Sequence, residues 1–360
     1  MLPFRLSHYS VAIIALLGLC LGACGGESSP DPGSEVAAGT GTESGSSADP
    51  LVEVEQPEPE PEPAQAEEAS TDPEHWTPLD SWKGQAVETV RELHKSGGLK
   101  RIRTRLPGVV GPEGFHGPEL VYHPNAALKL AKTWVSGRPH GVFKTWFPSG
   151  IVKRTGSFDM GDLHGPLTEY WKIGSVSLEA NYEHGKLHGR VAEYFGDDNL
   201  KDESHWVFGS QVGTHKIWSL EGILVLEEQY HEGQRDGSHL AYYPSTGERR
   251  LEGTYLSGQK TGLWRGWTED GVLVAEESFE LGKRHGSREA FIASVLVERL
   301  QFDHGAKHGQ QEEFYEDGAK RSAGRMDQGN RVGLWSYWKP DGSLLVELSG
   351  TYENDKRISD

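Results

Sequence analysis

The chain has 360 residues, room for two ordinary domains, but its 46 glycines, 11 tryptophans and 12 tyrosines against 3 methionines describe short strands and tight turns, not a uniform globule. Its formal net charge of −18 is unevenly placed: residues 25–75 hold 14 Asp and Glu and no Lys or Arg, whereas the rest, Arg5 apart, holds 40 acidic and 35 basic residues. The acidity belongs to a tail, and without a basic block to neutralise a phosphate backbone, nucleic acid is excluded as an expected ligand.

Residues 1–23 read as a targeting segment. Arg5 supplies a thin positive region and Val11 to Leu19 an apolar core interrupted only by Gly18. This stretch is too short to span about 30 Å of hydrocarbon as a helix. It ends in Leu21-Gly22-Ala23-Cys24, which resembles a bacterial lipobox: small residues suit the cleavage site and the Cys24 thiol is the expected lipidation site. The only other cysteine, Cys20, would be discarded, so no disulfide is expected. Lipid chains on Cys24 imply stable anchoring to a membrane. Gly25 lacks the Asp that retains many lipoproteins in the inner membrane, so the expected place is the bacterial cell envelope, at the outer membrane where there is one. Residues 24–75 then form a tether whose alternating Pro and Glu from Gln56 to Pro63 favours extended polyproline II. Residues 76–111 are less regular. Glu88 to Leu93 and Leu99 to Arg105 flank Ser96-Gly97-Gly98 as a degenerate capping hairpin, with a short helix over 86–95 as the alternative.

From residue 112 to the end the chain repeats itself. Gly-x-x-x-Gly recurs from Gly137/Gly141 to Gly329/Gly333, with Gly117 as a second glycine lacking its first and Glu113 in that place. The second glycines are spaced 23 to 25 residues apart, which marks tandem duplication of one structural unit. An aromatic precedes most first glycines by three residues (Trp134, Phe158, Tyr182 and onward to Phe302), and Met326 takes that place once. A second aromatic follows each second glycine by five, from Tyr122 and Trp146 to Trp338. Val142–Phe147 reads as a strand, Pro148-Ser149-Gly150 as a turn and Ile151–Phe158 as the returning strand, with Met160 to Gly165 turning into the next unit. Short connections require antiparallel neighbours. The expected fold is therefore all-β: an elongated single antiparallel β-meander of tandem hairpins, on the order of 100 Å long for about ten units. If the two aromatic series share a face they form a continuous ladder. Tyr352 to Arg357 starts a last unit and stops, with charges suited to blunting an edge.

The aromatic, Gly-x-x-His-Gly and Tyr/Trp-x-x-x-Gly pattern, with strands such as Thr145-Trp146-Phe147-Pro148-Ser149-Gly150, resembles the MORN repeat in its bacterial variant, often labelled with YwqK-family antitoxins. The resemblance covers about residues 112–357. It implies elongated β-hairpin sheets that act as protein- or lipid-interaction modules.

A histidine precedes the second glycine at His116, His140, His164, His188, His285 and His308. Equivalent positions about 10 Å apart cannot share one ion with bonds of about 2.1 Å, and Val212, Asp236, Thr261 and Val332 stand there elsewhere. The expected role is a turn residue bonded to local backbone, with no metal and no cofactor. No His-Glu-x-x-His, nucleophile elbow or phosphate loop occurs, and carboxylates such as Glu276-Glu277 and Glu312-Glu313 are expected to face solvent, so an enzyme is not expected. Adjacent aromatics point to opposite faces, which makes Phe147, Trp171, Phe195, Tyr243 and Tyr315 the candidate binding residues unless the sheet curls. The leading expectation is a membrane-anchored scaffold for an envelope protein. The alternatives are a module for glycan or peptidoglycan (a polysaccharide partner) and an antitoxin-like inhibitor of an envelope or secreted toxin.

Overall fold

The computed structural model describes residues 80–359. The targeting segment, Cys24 and the tether lie outside the described residues. The described residues form strands throughout, with one 3₁₀ turn at Pro112–Gly114 and no α-helix. A small two-stranded pair, Ser81–Trp82 with Gln85–Ala86, precedes one antiparallel sheet of 26 strand segments. Pairing runs in chain order, and the short segments Arg138–Pro139, Asp162–Leu163 and Lys186–Leu187 share their partner strand with the segment that follows each of them. The last strand, Lys356–Ser359, pairs with Gly350–Glu353, and the first, Glu88–Leu93, with Leu99–Arg105, so the sheet is an open meander. Within 86–95, Glu88–Leu93 is strand and no helix forms, as the capping-hairpin reading requires. The chain end closes a short hairpin through Asn354–Asp355 instead of stopping mid-unit, and its exposed Lys356 and Arg357 blunt the final edge.

The glycine pattern does two different jobs. The first glycine closes a two-residue turn: Met160 and Gly161 have φ of 45° and 112°, the paired positive values a type I′ hairpin turn requires. Its N–H also donates to Pro139 O in the preceding unit at 2.8 Å. The same bond recurs at Gly185 to Leu163, Gly209 to Leu187, Gly258 to Arg235 and Gly329 to Lys307, each at 2.8 Å. The turn between units is thus two residues long, not the six from Met160 to Gly165. The second glycine lies inside a strand at a bulge. Between Glu203↔Lys216 and His205↔Val212 the register slips, leaving Ser204 opposite Gly213, Thr214 and His215. At the equivalent Gly117, a Cβ would stand 2.5 Å from Thr104 Oγ1, the hydroxyl that donates to His116 O at 2.6 Å.

Two residues beyond the bulge glycine, a continuous spine crosses the sheet. Its opposed pairs include Phe143↔Gly156, Leu167↔Ala180, His215↔Glu228, His239↔Gly253, Trp264↔Glu277, Gln311↔Gly324 and Trp335↔Gly350. All of these residues are buried or half-buried. Where the spine residue is a large ring, it lies over a glycine of a neighbouring strand. A Cβ on Gly253 would lie 2.1 Å from the Trp264 ring, and one on Gly324 2.1 Å from Trp335. The ring covers the backbone that a side chain would otherwise cover. The first aromatic series packs onto this spine: Phe158 lies 4.7 Å from Phe143, and Tyr255 meets Trp264 edge-on at 5.1 Å. Among the described residues no ring of the second series stacks on another ring, so the two series do not build one ladder.

The next position along each strand forms a charged row. Lys216 opposes Glu227, Arg265 stands between Glu252 and Glu276, and Arg299 between Glu289 and Glu312. Arg265 reaches those carboxylates at 3.1 and 2.6 Å, and Arg299 reaches its pair at 2.8 and 3.1 Å. Such exposed pairs contribute roughly 0–1 kcal/mol each, and they set cross-strand register more than total stability. Because neighbours alternate faces, a Glu-Glu dipeptide cannot have both carboxylates outside. Glu276 belongs to the charged row, whereas Glu277 is 5% exposed on the spine, paired with Arg284 and lying 3.5 Å from Arg288. The expectation that both face solvent is corrected accordingly.

Candidate interaction site

Of the five candidate aromatics, only Trp171 is exposed, at 44%; Phe147, Phe195, Tyr243 and Tyr315 are half-buried. The cause is a second bulge, which falls just before the second aromatic in unit after unit, as at Thr145/Trp146, Ala241/Tyr242 and Glu313/Phe314. It breaks the alternation of faces on which the exposure argument rested. The residue after it enters the hairpin turn: Phe147 N–H donates to Ile151 O at 2.8 Å and Gly150 N–H to Phe147 O at 2.9 Å. From there the side chain reaches the next unit. Tyr243 Oη donates to Trp267 O at 2.8 Å, Tyr315 Oη to Trp338 O at 2.8 Å, and Trp171 Nε1 to Tyr194 O at 3.3 Å. His123 Nε2 meets Trp146 O at 2.9 Å in the same way. The five residues occupy one equivalent turn position, one per unit, and at Trp171, Tyr243 and Tyr315 a side-chain donor ties one hairpin to the next. The sequence signal for this was a donor at that position, not an aromatic.

The histidines before the second glycine act between units as well. Met160 N–H faces His140 Nδ1 at 3.4 Å, Ser136 N–H faces His116 Nδ1 at 3.4 Å, and Ser257 N–H donates to Asp236 Oδ2 at 3.1 Å. Histidine and aspartate thus serve one purpose, as the shared position implied, but the backbone they meet belongs to the turn about 20 residues on.

In the middle of the array the spine turns polar. Glu228, 1% exposed, accepts from His239 Nδ1 at 2.7 Å and Tyr230 Oη at 3.1 Å, and Arg235 Nε lies 3.0 Å away. Burial pushes this carboxyl up. The hydrogen bond from His239 and the charges of Arg235 and His239 outweigh it and hold the group below the usual carboxylate value. Burial also raises the Tyr230 phenol and lowers the Arg288 guanidinium. Glu119, buried near the N-terminal end, is likewise matched by Arg101 at 3.1 Å, Lys132 at 3.5 Å and Trp134 Nε1 at 2.9 Å. These sites neutralise buried charge within the sheet.

Near that end the face opens into a cleft of about 460 Å³, a size suited to a few side chains of a bound segment. Phe143, Phe158, Leu130, Trp146 and Phe147 line it, and Lys129, Lys132, Lys153 and Arg154 bring cationic groups to it. Lys153 Nζ stands 5.9 Å from the Phe147 ring. No carboxylate lines the cleft, although Lys132 and Arg154 pair outside it with Glu119 and Glu169. The arrangement can bury apolar side chains and meet a neighbouring anionic group. Of the five candidate aromatics it uses Phe147 alone. The others in it come from both aromatic series and from the spine.

No curated protein matches the chain. Among solved structures, it is similar to one described as the crystal structure of TcdB2-TccC3-TEV, at 11% identity and a TM-score of 0.17 over 77% of this chain and 18% of that one. A second, described as TcdB2-TccC3, gives 11% identity and a TM-score of 0.14 over 75% of this chain and 16% of that one. The chain spans less than a fifth of the length of these structures. Residues 139–160 match the family model described as MORN repeat variant, and this stretch, which supplies Phe143, Trp146, Phe147 and Phe158 to the cleft, supports a MORN-repeat identity for the array.

Proposed function

We propose that the protein is a non-enzymatic scaffold of the bacterial cell envelope, anchored through lipid on Cys24, that holds a protein partner on its repeat sheet. The cleft around Phe143 and Phe158 engages a partner segment carrying apolar side chains and a carboxylate. The observation behind this reading is the cleft itself: aromatic walls with lysines and an arginine beside them and no carboxylate in its lining. MORN repeats are in general protein- or membrane-interaction repeats, and the matched unit is the one that builds the cleft. The buried carboxylates Glu119, Glu228 and Glu277 are each matched by cations, which suits structural use of those groups rather than acid–base work.

The test is crosslinking in cells with the anchored full-length protein, comparing wild type with Trp146→Ala/Phe147→Ala and with Trp171→Ala. A discrete protein should co-purify with wild type and with Trp171→Ala, and its yield should fall at least tenfold in the double variant. Recovery of cell-wall polysaccharide instead, reduced by Trp171→Ala, would replace this reading with the glycan one.

A further inference from the structure

The repeat brings histidines together in a way that equivalent positions alone would not. His285 precedes the bulge glycine Gly286, and His304 is the first residue of the tight turn that follows, with φ of 45°. Their rings lie 4.8 Å apart at 62°. Glu280 and Asp303 are each the last strand residue before the tight turn between units, in two successive units. Glu280 Oε2 stands 3.5 Å from His285 Nε2 and 4.0 Å from His304 Nε2. On the other side, Asp303 Oδ1 stands 2.6 Å from His304 Nδ1 and 3.4 Å from His285 Nδ1. One carboxylate therefore faces both Nε2 atoms and the other faces both Nδ1 atoms. A carboxylate hydrogen-bonded at Nδ1, as Asp303 is to His304, fixes the tautomer and leaves Nε2 as the lone-pair donor, the arrangement that orients histidine ligands of a metal, and the same carboxylate lies close to His285 Nδ1.

We propose that His285 Nε2, His304 Nε2 and Glu280 Oε2 bind one zinc-type divalent transition-metal ion, with Asp303 as the outer carboxylate that orients both imidazoles. A tetrahedral ion with bonds of ~2.1 Å places its ligand atoms about 3.4 Å apart. One contact at 3.5 Å already matches that edge and the other is 4.0 Å, while all three ligand atoms lie within 4.8 Å of one another. Two imidazoles and one carboxylate are the donor set of zinc and its neighbours, not of calcium or magnesium, which take oxygen ligands. The same four residue types recur as Asp159, His164, Glu183 and His184, but there the rings are 5.7 Å apart. In that unit His140 lies 3.4 Å from Asp159 and His188 3.4 Å from Glu183, so both carboxylates meet other histidines. The ion would clip two successive hairpins across a turn.

The test uses the full-length chain, purified in detergent without an oligohistidine tag, titrated with Zn²⁺ by calorimetry and with Co²⁺ by visible absorption. We expect one tight site per chain and a tetrahedral Co²⁺ band that Zn²⁺ removes. His304→Asn keeps a residue type that tolerates positive φ, so the turn survives, and it should weaken Zn²⁺ binding at least tenfold and abolish the band, as should His285→Asn. Asp303→Asn should weaken binding about 10- to 100-fold while the band remains. His164→Asn/His184→Asn should change neither. Zn²⁺ affinity within twofold of wild type in His304→Asn, or loss of the band in His164→Asn/His184→Asn instead, would overturn the assignment.

Discussion

At the scale of single residues, the array depends on what glycine leaves room for. Gly253 and Gly324 have no φ requirement, yet each backbone lies beneath an indole that occupies the place of its missing side chain. Gly253→Ala should therefore cost about 1–3 kcal/mol by overpacking, read from urea unfolding, and most of that cost should vanish in a Trp264→Leu background. Gly213 is the opposite case: nothing lies within 4 Å of its Cβ position, but its φ is 66°, so Gly213→Ala should cost about 1 kcal/mol through backbone strain alone. Glu228 contributes a buried-site pH dependence. Its folded pKa lies below the ordinary 4.5, so its contribution is fully present above about pH 4.5 and is lost as pH falls through the lower folded value. Glu228→Gln should destabilise by about 2–4 kcal/mol at pH 7, because His239 and Arg235 lose a charged partner in a buried site. The gap between variant and wild type should narrow in acid. A constant gap from pH 7 to pH 3 would contradict the assignment.

At the scale of the element, each hairpin is held to the next along both edges of the sheet: by first-glycine N–H groups at one edge and by side-chain donors such as Tyr243 and Tyr315 at the other. Tyr315→Phe should cost about 0.5–1.5 kcal/mol and speed hydrogen exchange locally around the 338–342 turn, leaving units before residue 290 unchanged. The hairpins themselves were legible, because period, glycines and aromatics fall at fixed offsets. Their turns were not fully so. Met160, Phe208 and Leu281 hold φ values of 45–47°, and bulky residues do not announce a type I′ turn. The bulge at the second glycine was hidden for another reason: it is a slip of register between neighbouring strands, as between Glu203↔Lys216 and His205↔Val212, which spacing along one strand does not reveal. Missing the later bulge had the larger consequence, since face alternation then misplaced four of the five candidate aromatics.

At the scale of the whole molecule, each unit pairs with its neighbours, so stability should be a sum of nearest-neighbour contributions. Excising residues 213–236, one 24-residue period, joins Val212 to Gly237 in register. The shortened chain should stay folded with moderately reduced stability and keep its partner, because the cleft lies at 123–158. The all-β array was readable from the sequence, whereas the cleft was not. Leu130, Thr145, Phe158 and Lys153 meet there from successive strands, and Phe143 and Gly156 are marked as partners only by the register between strands. The histidine constellation was obscured likewise: counting equivalent positions separates the histidines, while a turn residue 19 positions on joins His285. The measurement that bears most directly on the scaffold reading is site-specific photocrosslinking in cells, with the reactive side chain placed at Phe147 in one strain and at Ser287 in another. One discrete protein captured from Phe147 and not from Ser287 is the predicted result. Equal capture from both positions, or none from Phe147, would contradict it.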